Sequence, residues 1–180
     1  LSGFAPDGTA YPGTFERAAQ VIRAADALGM VVNLGLFYGW ATQAMQGEAA
    51  ILRAAGAALD WLAGLGAGNV LLEIGNEIDN RSFVHPVVQP GRCAELFALA
   101  RARCPGIAVS TSFNGGVVPP DHLIAISDYV LLHGNNVETP DGIRAQVAAT
   151  RASAGYRGQP ILYNEDDAEY LKMLEGSAFP

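Results

Sequence analysis

The chain has 180 residues, of which half are apolar and 16% are charged. Its 11 basic and 18 acidic side chains give a net charge of −7 at neutral pH. This composition excludes a disordered chain, and the lack of a basic patch argues against nucleic-acid binding. No run approaches the roughly 18 consecutive apolar residues that a membrane span needs. We therefore expect a single globular domain over residues 1–180 that buries its own core.

Stretches of helical periodicity alternate with short apolar runs along the chain. Apolar spacing of three and four residues predicts helices over 14–28, 47–63, 92–103 and 142–153, with a short helix opening near Pro120. Thr14 and Asp141 are the predicted N-caps, and Gly29, Gly64 and Gly66 are the predicted helix-ending glycines. These helices separate the predicted strands from one another.

The apolar runs predict five strands, over 30–37, 69–75, 107–111, 129–133 and 160–163. Strands that are apolar along their whole length are typical of a parallel sheet covered on both faces. The repeat of about 32 residues matches one unit of a (β/α)₈ barrel. No Gly-x-Gly-x-x-Gly follows a strand, which disfavours a dinucleotide-binding fold. Five units do not complete eight, so the sequence predicts an α/β fold of TIM-barrel type that is partial and has open strand edges.

Polar, ionisable and aromatic residues concentrate where the predicted strands end. In parallel α/β folds this edge carries the functional site. The candidates there are Tyr38, Trp40, Asn76, Glu77, Asn114, His133 and Glu165. Two carboxylates at one rim are what glycoside hydrolysis needs, since one donates a proton and the other attacks or activates water. Glu77 and Glu165 are therefore the candidate catalytic pair.

The segments LLEIGNEID (71–79) and ILYNEDD (161–167) resemble the fourth and seventh strands of clan-A retaining glycoside hydrolases. GMVVNLGLFYG, VSTSFNGG, LLHGNNV and PILYNEDD are similar to a group of uncharacterised bacterial cellulase-like barrel proteins. The resemblance implies strands three to seven of a (β/α)₈ barrel. It implies Glu77 as acid/base and Glu165 as nucleophile in retaining hydrolysis of a β-linked glycoside, with His133 near the nucleophile. It implies a carbohydrate substrate and no cofactor or metal.

Several of these residues have a second interpretation. Asn76 binds a sugar hydroxyl or caps the loop behind its strand. Tyr38 and Trp40 stack on a sugar ring or pack against the rim. His133 is a site residue or a satisfied core histidine. Tyr163 hydrogen-bonds the nucleophile or fills the core.

Other residues are predicted to be structural. Glu73 lies in mid-strand with inward parity, and a buried carboxylate needs a partner, for which Asn33 is the candidate. Trp61 has core spacing on its helix. Cys93 and Cys104 are predicted to be free, buried thiols, and His85 and His122 to lie in surface loops.

Two other functions stay open at this point. Glu77, His133, Glu165, Asp166 and Asp167 are suited to an oxygen-rich metal site of a metal-dependent barrel enzyme. The second open function is non-catalytic: a partial barrel that self-associates through its open strand edges and has no turnover. The first residue is Leu, which indicates a start inside a longer gene product, and so the sequence predicts no localisation.

Overall fold

The computed structural model describes residues 3–166. Over this range the chain is a mixed α/β protein whose named strands all pair in parallel. It divides into two compact units, and the boundary falls between Thr111 and Ser112. The single domain over 1–180 stays a prediction. Asp167, one of the predicted acidic residues, lies outside the described residues.

The first unit contains a three-stranded parallel sheet. Its strands are β1 (Val32–Tyr38), β2 (Val70–Asn76) and β3 (Ala108–Ser110), in the order β1-β2-β3. Its helices are α1 (Thr14–Ala27), α2 (Gly39–Thr42), α3 (Glu48–Leu65) and α4 (Ala94–Arg103), with a 3₁₀ turn at Pro86–Val88. Leu72 and Ile74 of β2 are completely buried, as are Ile51 and Leu59 of α3. The apolar run of β2 thus lies in the core, as expected for a central parallel strand.

The second unit contains two parallel strands, β4 (Val130–His133) and β5 (Ile161–Glu165), and two helices, α5 (Asp121–Ile126) and α6 (Pro140–Ala152). Its core is formed by Ile124, Val130 and Leu132. Five partly buried side chains pack against this core: Val118, Val147, Tyr156, Ile161 and Tyr163.

The five predicted strands are all present, with ends within two residues of the prediction. β5 is longer than predicted and runs through Glu165, so this glutamate is the last residue of the strand. Among the helices of residues 3–166, none has the length and apolar character to cross a membrane.

Three predicted caps are wrong. Gly13, with a φ of 75°, is the N-cap of α1, and Thr14 is its first helical residue. The N-cap of α6 is Thr139, whose Oγ1 accepts a hydrogen bond from the backbone N–H of Gly142 at 3.1 Å. Asp141 instead lies in the first turn, because Pro140 takes the first helical position, where it has no N–H to satisfy. Gly64 lies inside α3, which ends at Leu65 and has Gly66 as its C-cap.

Candidate functional site

In the first unit, the chain turns sharply where β2 ends. Asn76 is the last residue of β2, and Glu77 follows with a φ of 55°. Ile78 is buried and folds back against Gly75, where an added Cβ would lie only 2.8 Å from Ile78 Cγ2. The left-handed conformation of Glu77 thus accompanies the burial of Ile78. Such backbone strain in a residue other than glycine is concentrated at functional sites.

The ends of β1 and β2 are level, because Tyr38 pairs with Asn76 in the ladder. A cavity of about 330 Å³ opens beside them, and Tyr38, Trp40 and Asn76 are among its lining residues. The side chains of Tyr38 and Trp40 are 48% and 55% exposed. Their ring centroids lie 6.0 Å apart with the planes tilted by 55°, so each ring presents its own face rather than a shared flat platform. Both residues are therefore exposed to solvent beside the cavity.

Glu73 lines the same cavity and is only 4% exposed. Its Oε2 accepts a hydrogen bond from Asn33 Nδ2 at 3.1 Å. This confirms the predicted pairing of the buried carboxylate with Asn33 on the neighbouring strand. The contact satisfies part of the hydrogen-bonding capacity that burial removes from water.

In the second unit, the carboxylate of Glu165 is held at the end of β5. Its Oε1 accepts a hydrogen bond from Asn135 Nδ2 at 2.7 Å. Its Oε2 lies 3.6 Å from His133 Nδ1, within the range of an ion pair when the imidazole is protonated. The backbone N–H of Gly134 donates to the carbonyl of Glu165 at 2.9 Å, which joins the two strand ends. Three successive residues after Leu132 thus contact Glu165.

His133 is completely buried at the end of β4. Its carbonyl accepts a hydrogen bond from the backbone N–H of Gly116 at 3.0 Å. The ladder explains how its ring meets Glu165: Leu132 pairs with Tyr163, but His133 pairs with Glu165, so β5 contains one extra residue at this step. Such an irregularity redirects the side chain that follows it. His133 therefore combines the burial of a core histidine with contact to a candidate catalytic carboxylate.

Tyr163 does not hydrogen-bond the Glu165 carboxylate within the described residues. Its hydroxyl donates to Gln146 Oε1 at 2.8 Å and lies 3.4 Å from the carbonyl of Ile143, both on α6. Burial and the negative charge of Asp166 raise the pKa of this hydroxyl. The hypothesis of a hydrogen bond to the nucleophile is wrong, because Tyr163 lies on the helix-facing side of β5, and the alternative of core filling agrees with its packing.

The remaining predicted residues occupy varied positions. Asn114 is half-buried, and its carbonyl accepts from the backbone N–H of Val117 at 3.0 Å. His85 lies in a loop and its Nε2 is 3.1 Å from the carbonyl of Thr42. His122 is exposed but lies in α5, not in a loop. Trp61 stacks on Phe15 with ring centroids 4.9 Å apart, as expected for a structural residue.

Asn135 is the functional candidate that the sequence analysis missed. The available signal was its place two residues beyond His133, in a polar run directly after a buried strand. The metal-site hypothesis, which also requires Glu77, Asp166 and Asp167, stays a prediction.

No protein-family model matches the chain, and no curated protein matches it. Two solved structures are similar to it in fold. One is a glycoside hydrolase family 17 β-1,3-glucanosyltransferase from Rhizomucor miehei, with a TM-score of 0.62, 18% identity and coverage of 84% of this chain. The other is a glycoside hydrolase family 5 protein from Bacteroides vulgatus, with a TM-score of 0.65, 14% identity and coverage of 87% of this chain.

The match spans 55% of the first of these solved chains and 35% of the second. The chain is thus shorter than the proteins whose fold it shares. At these identities the likeness concerns the fold alone. The chain has a glycoside hydrolase-like fold.

Proposed function

We propose that this chain is part of a (β/α) barrel, strands three to seven of eight, from a retaining β-glycosidase. The proposal is supported by five parallel strands with the predicted α/β spacing and by the glycoside hydrolase-like fold. The observation that carries it is the carboxylate of Glu165, which lies at the end of β5 and is held by Asn135 with His133 beside it.

Glu165 has the features of a nucleophile. A nucleophilic carboxylate must be ionised and fixed in orientation when the sugar arrives. The amide of Asn135 donates to Oε1, and this contact limits rotation of the group. His133 Nδ1 lies 3.6 Å from the other oxygen, within the range of an ion pair when the imidazole is protonated.

Glu77 is the proposed acid/base. In the first step Glu77 gives its proton to the glycosidic oxygen while Glu165 attacks the anomeric carbon, and the bond from that carbon to the leaving oxygen breaks. In the second step the Glu77 carboxylate takes a proton from water, and the resulting hydroxyl displaces Glu165 from the anomeric carbon. Two displacements restore the original configuration, and no cofactor takes part.

The cavity beside β1 and β2 is the proposed sugar-binding region. Exposed aromatic faces suit the C–H faces of a pyranose ring, and Tyr38 and Trp40 provide two such faces. Asn76 lines the same cavity and offers an amide to a sugar hydroxyl. We assign the same kind of role to Asn114, which follows β3 by four residues.

The first test is hydrolysis of a panel of aryl β-glycosides and β-linked oligosaccharides by the wild type, Glu77→Gln and Glu165→Gln. The control is Glu16→Gln, an exposed glutamate on α1. We expect activity in the wild type and control, a loss of at least about 1000-fold in both test variants with unchanged far-UV circular dichroism, and a β-configured first product. Turnover like the wild type by either test variant would remove that residue from the mechanism.

A second measurement is the distance between the two carboxyl groups in a crystal structure. A retaining site requires about 5–5.5 Å, and about 6.5–9.5 Å would indicate inversion. Mass measurement in solution and metal analysis of the purified chain separate the two other functions. A self-associated protein without turnover, or activity that depends on a bound metal, would contradict the proposal.

A further inference from the structure

We infer that Asn135 is a positioning residue for Glu165, which it holds in the orientation needed for attack. The expected effect of Asn135 on catalysis rests on the proposed function. Its structural part, that the Asn135 amide fixes the Glu165 carboxylate, stands on contacts within the second unit alone.

The hydrogen bond from Asn135 Nδ2 to Glu165 Oε1 is 2.7 Å long, at the short end for a nitrogen donor. The two residues come from the ends of neighbouring parallel strands, and the Gly134 N–H to Glu165 carbonyl bond fixes these ends one residue away. A side-chain hydrogen bond from Asn135 and a backbone hydrogen bond from Gly134 therefore both hold Glu165 in place.

The orientation of the Asn135 amide is set by this one bond. Its Oδ1 is buried and has no hydrogen-bond partner among residues 3–166. A buried acceptor left unsatisfied destabilises the folded state. Reversal of the amide would place Oδ1 against the carboxylate, where two acceptors repel each other. The fold thus retains an unsatisfied oxygen in order to keep the donor on Glu165.

Two glycines lie close to Asn135 and to the residue that follows Glu165. A Cβ added to Gly115 would lie 2.6 Å from Asn135 Cβ and would also collide with the Asn135 carbonyl. A Cβ added to Gly134 would lie 2.7 Å from Asp166 Oδ1, directly after the nucleophile. Gly115 has no room for a side chain, because the nearest atoms are the backbone of Asn135, whereas at Gly134 the Asp166 carboxylate would have to shift. The backbone of Gly115 therefore restricts Asn135 from one side.

The decisive variant is Asn135→Asp, which keeps the shape of the side chain and replaces its donor with an acceptor. Asn136→Asp is the matched control, because it makes the same chemical change at the next residue, which is exposed. Asn135→Ala is a third variant that removes the donor without adding charge. All three are compared with the wild type for kcat, KM and the midpoint of urea unfolding at pH 7.

For Asn135→Asp we expect kcat to fall about 100-fold, the loss associated with a misplacement of about 1 Å, while KM stays within about twofold. Asn135→Ala should lose at least about tenfold in kcat, and Asn136→Asp should stay within about twofold of the wild type. A lower unfolding midpoint with an unchanged kcat in Asn135→Asp would mean that the residue only stabilises the loop, and would overturn the inference.

Crystal structures of the wild type and Asn135→Ala provide a readout that does not depend on turnover. We expect Glu165 Oε1 within about 3 Å of Asn135 Nδ2 in the wild type. In Asn135→Ala we expect a Glu165 carboxylate that has rotated or occupies two rotamers. An unmoved, singly ordered Glu165 in Asn135→Ala would overturn the inference even in an active enzyme. A moved Glu165 in a protein without glycosidase activity would support the positioning contact and contradict the proposed function alone.

Discussion

The side-chain amide of Asn33 donates a hydrogen bond to Oε2 of Glu73, with 3.1 Å between the two atoms. The donor lies on β1 and the acceptor on β2, and the register places Gly35, not Asn33, directly opposite Glu73. The bond is therefore diagonal across the ladder. Glu73 is 4% exposed, so this contact replaces part of the water that a carboxylate loses on burial.

Replacement of Asn33 by Ala should lower the free energy of unfolding by about 2 kcal/mol, because it removes the donor from a buried acceptor on Glu73. The same replacement in a Glu73→Leu background should cost less than about 0.5 kcal/mol, since the acceptor is already gone. Urea unfolding of the four proteins measures both values. Equal costs in the two backgrounds would show that Asn33 contributes independently of Glu73.

The two tryptophans should separate binding from stability. Trp40 is 55% exposed beside the cavity, so Trp40→Ala should change the unfolding free energy by less than about 0.5 kcal/mol. It should raise KM for oligosaccharides about tenfold, which corresponds to one lost ring contact. Trp61→Ala removes the stack on Phe15 and should cost about 2 kcal/mol of stability with an unchanged KM. A loss of stability in Trp40→Ala together with a raised KM in Trp61→Ala would contradict this assignment of the two residues.

The cap of α6 is testable with two neighbouring substitutions. Thr139→Ala removes the side-chain acceptor for the Gly142 N–H and should lower stability by about 1 kcal/mol. Asp141→Ala removes only an exposed ion pair with Arg144 and a favourable charge in the first turn, and should cost about half as much or less. A larger loss for Asp141→Ala in urea unfolding would restore it as the cap.

Cys93 should be inert in the folded protein. Burial raises its pKa to about 12 from an ordinary value of 9.0. At pH 8 the thiolate fraction, and with it the rate of alkylation by iodoacetamide, should be about 1000-fold lower than in urea. The pKa of Cys93 is raised only in the folded state. The stability that the buried neutral thiol contributes is therefore complete below about pH 9 and is lost as the pH rises towards 12.

Cys104, at the other end of α4, is the internal comparison for this experiment. Burial also raises the pKa of its thiol, but its side chain retains a little more exposure than that of Cys93. Peptide mass spectrometry should therefore show Cys104 modified before Cys93 in the folded protein. Rapid labelling of Cys93 at pH 8 without denaturant would contradict its burial.

Local sequence patterns were sufficient to predict the strands. The five apolar runs form strands within two residues of their predicted ends, because a strand covered on both faces must be apolar along its length. The parity of Glu73 likewise predicted a buried carboxylate with Asn33 as its partner. These features depend on neighbours in sequence or on adjacent strands, and the period of two fixes them.

Tertiary structure decided what lies around the candidate nucleophile. The extra residue of β5 opposite His133 turns Glu165 towards that ring, and no pattern of apolar residues encodes such a step. The donor on Glu165 is Asn135, 30 residues earlier in the chain, and it reaches the carboxylate only because β4 and β5 are paired. Tyr163 stands two residues before Glu165 on the same strand, yet its hydroxyl donates to Gln146 on α6. The sequence determined which residues stand at the strand ends, whereas packing between segments distant in sequence decided which of them touch.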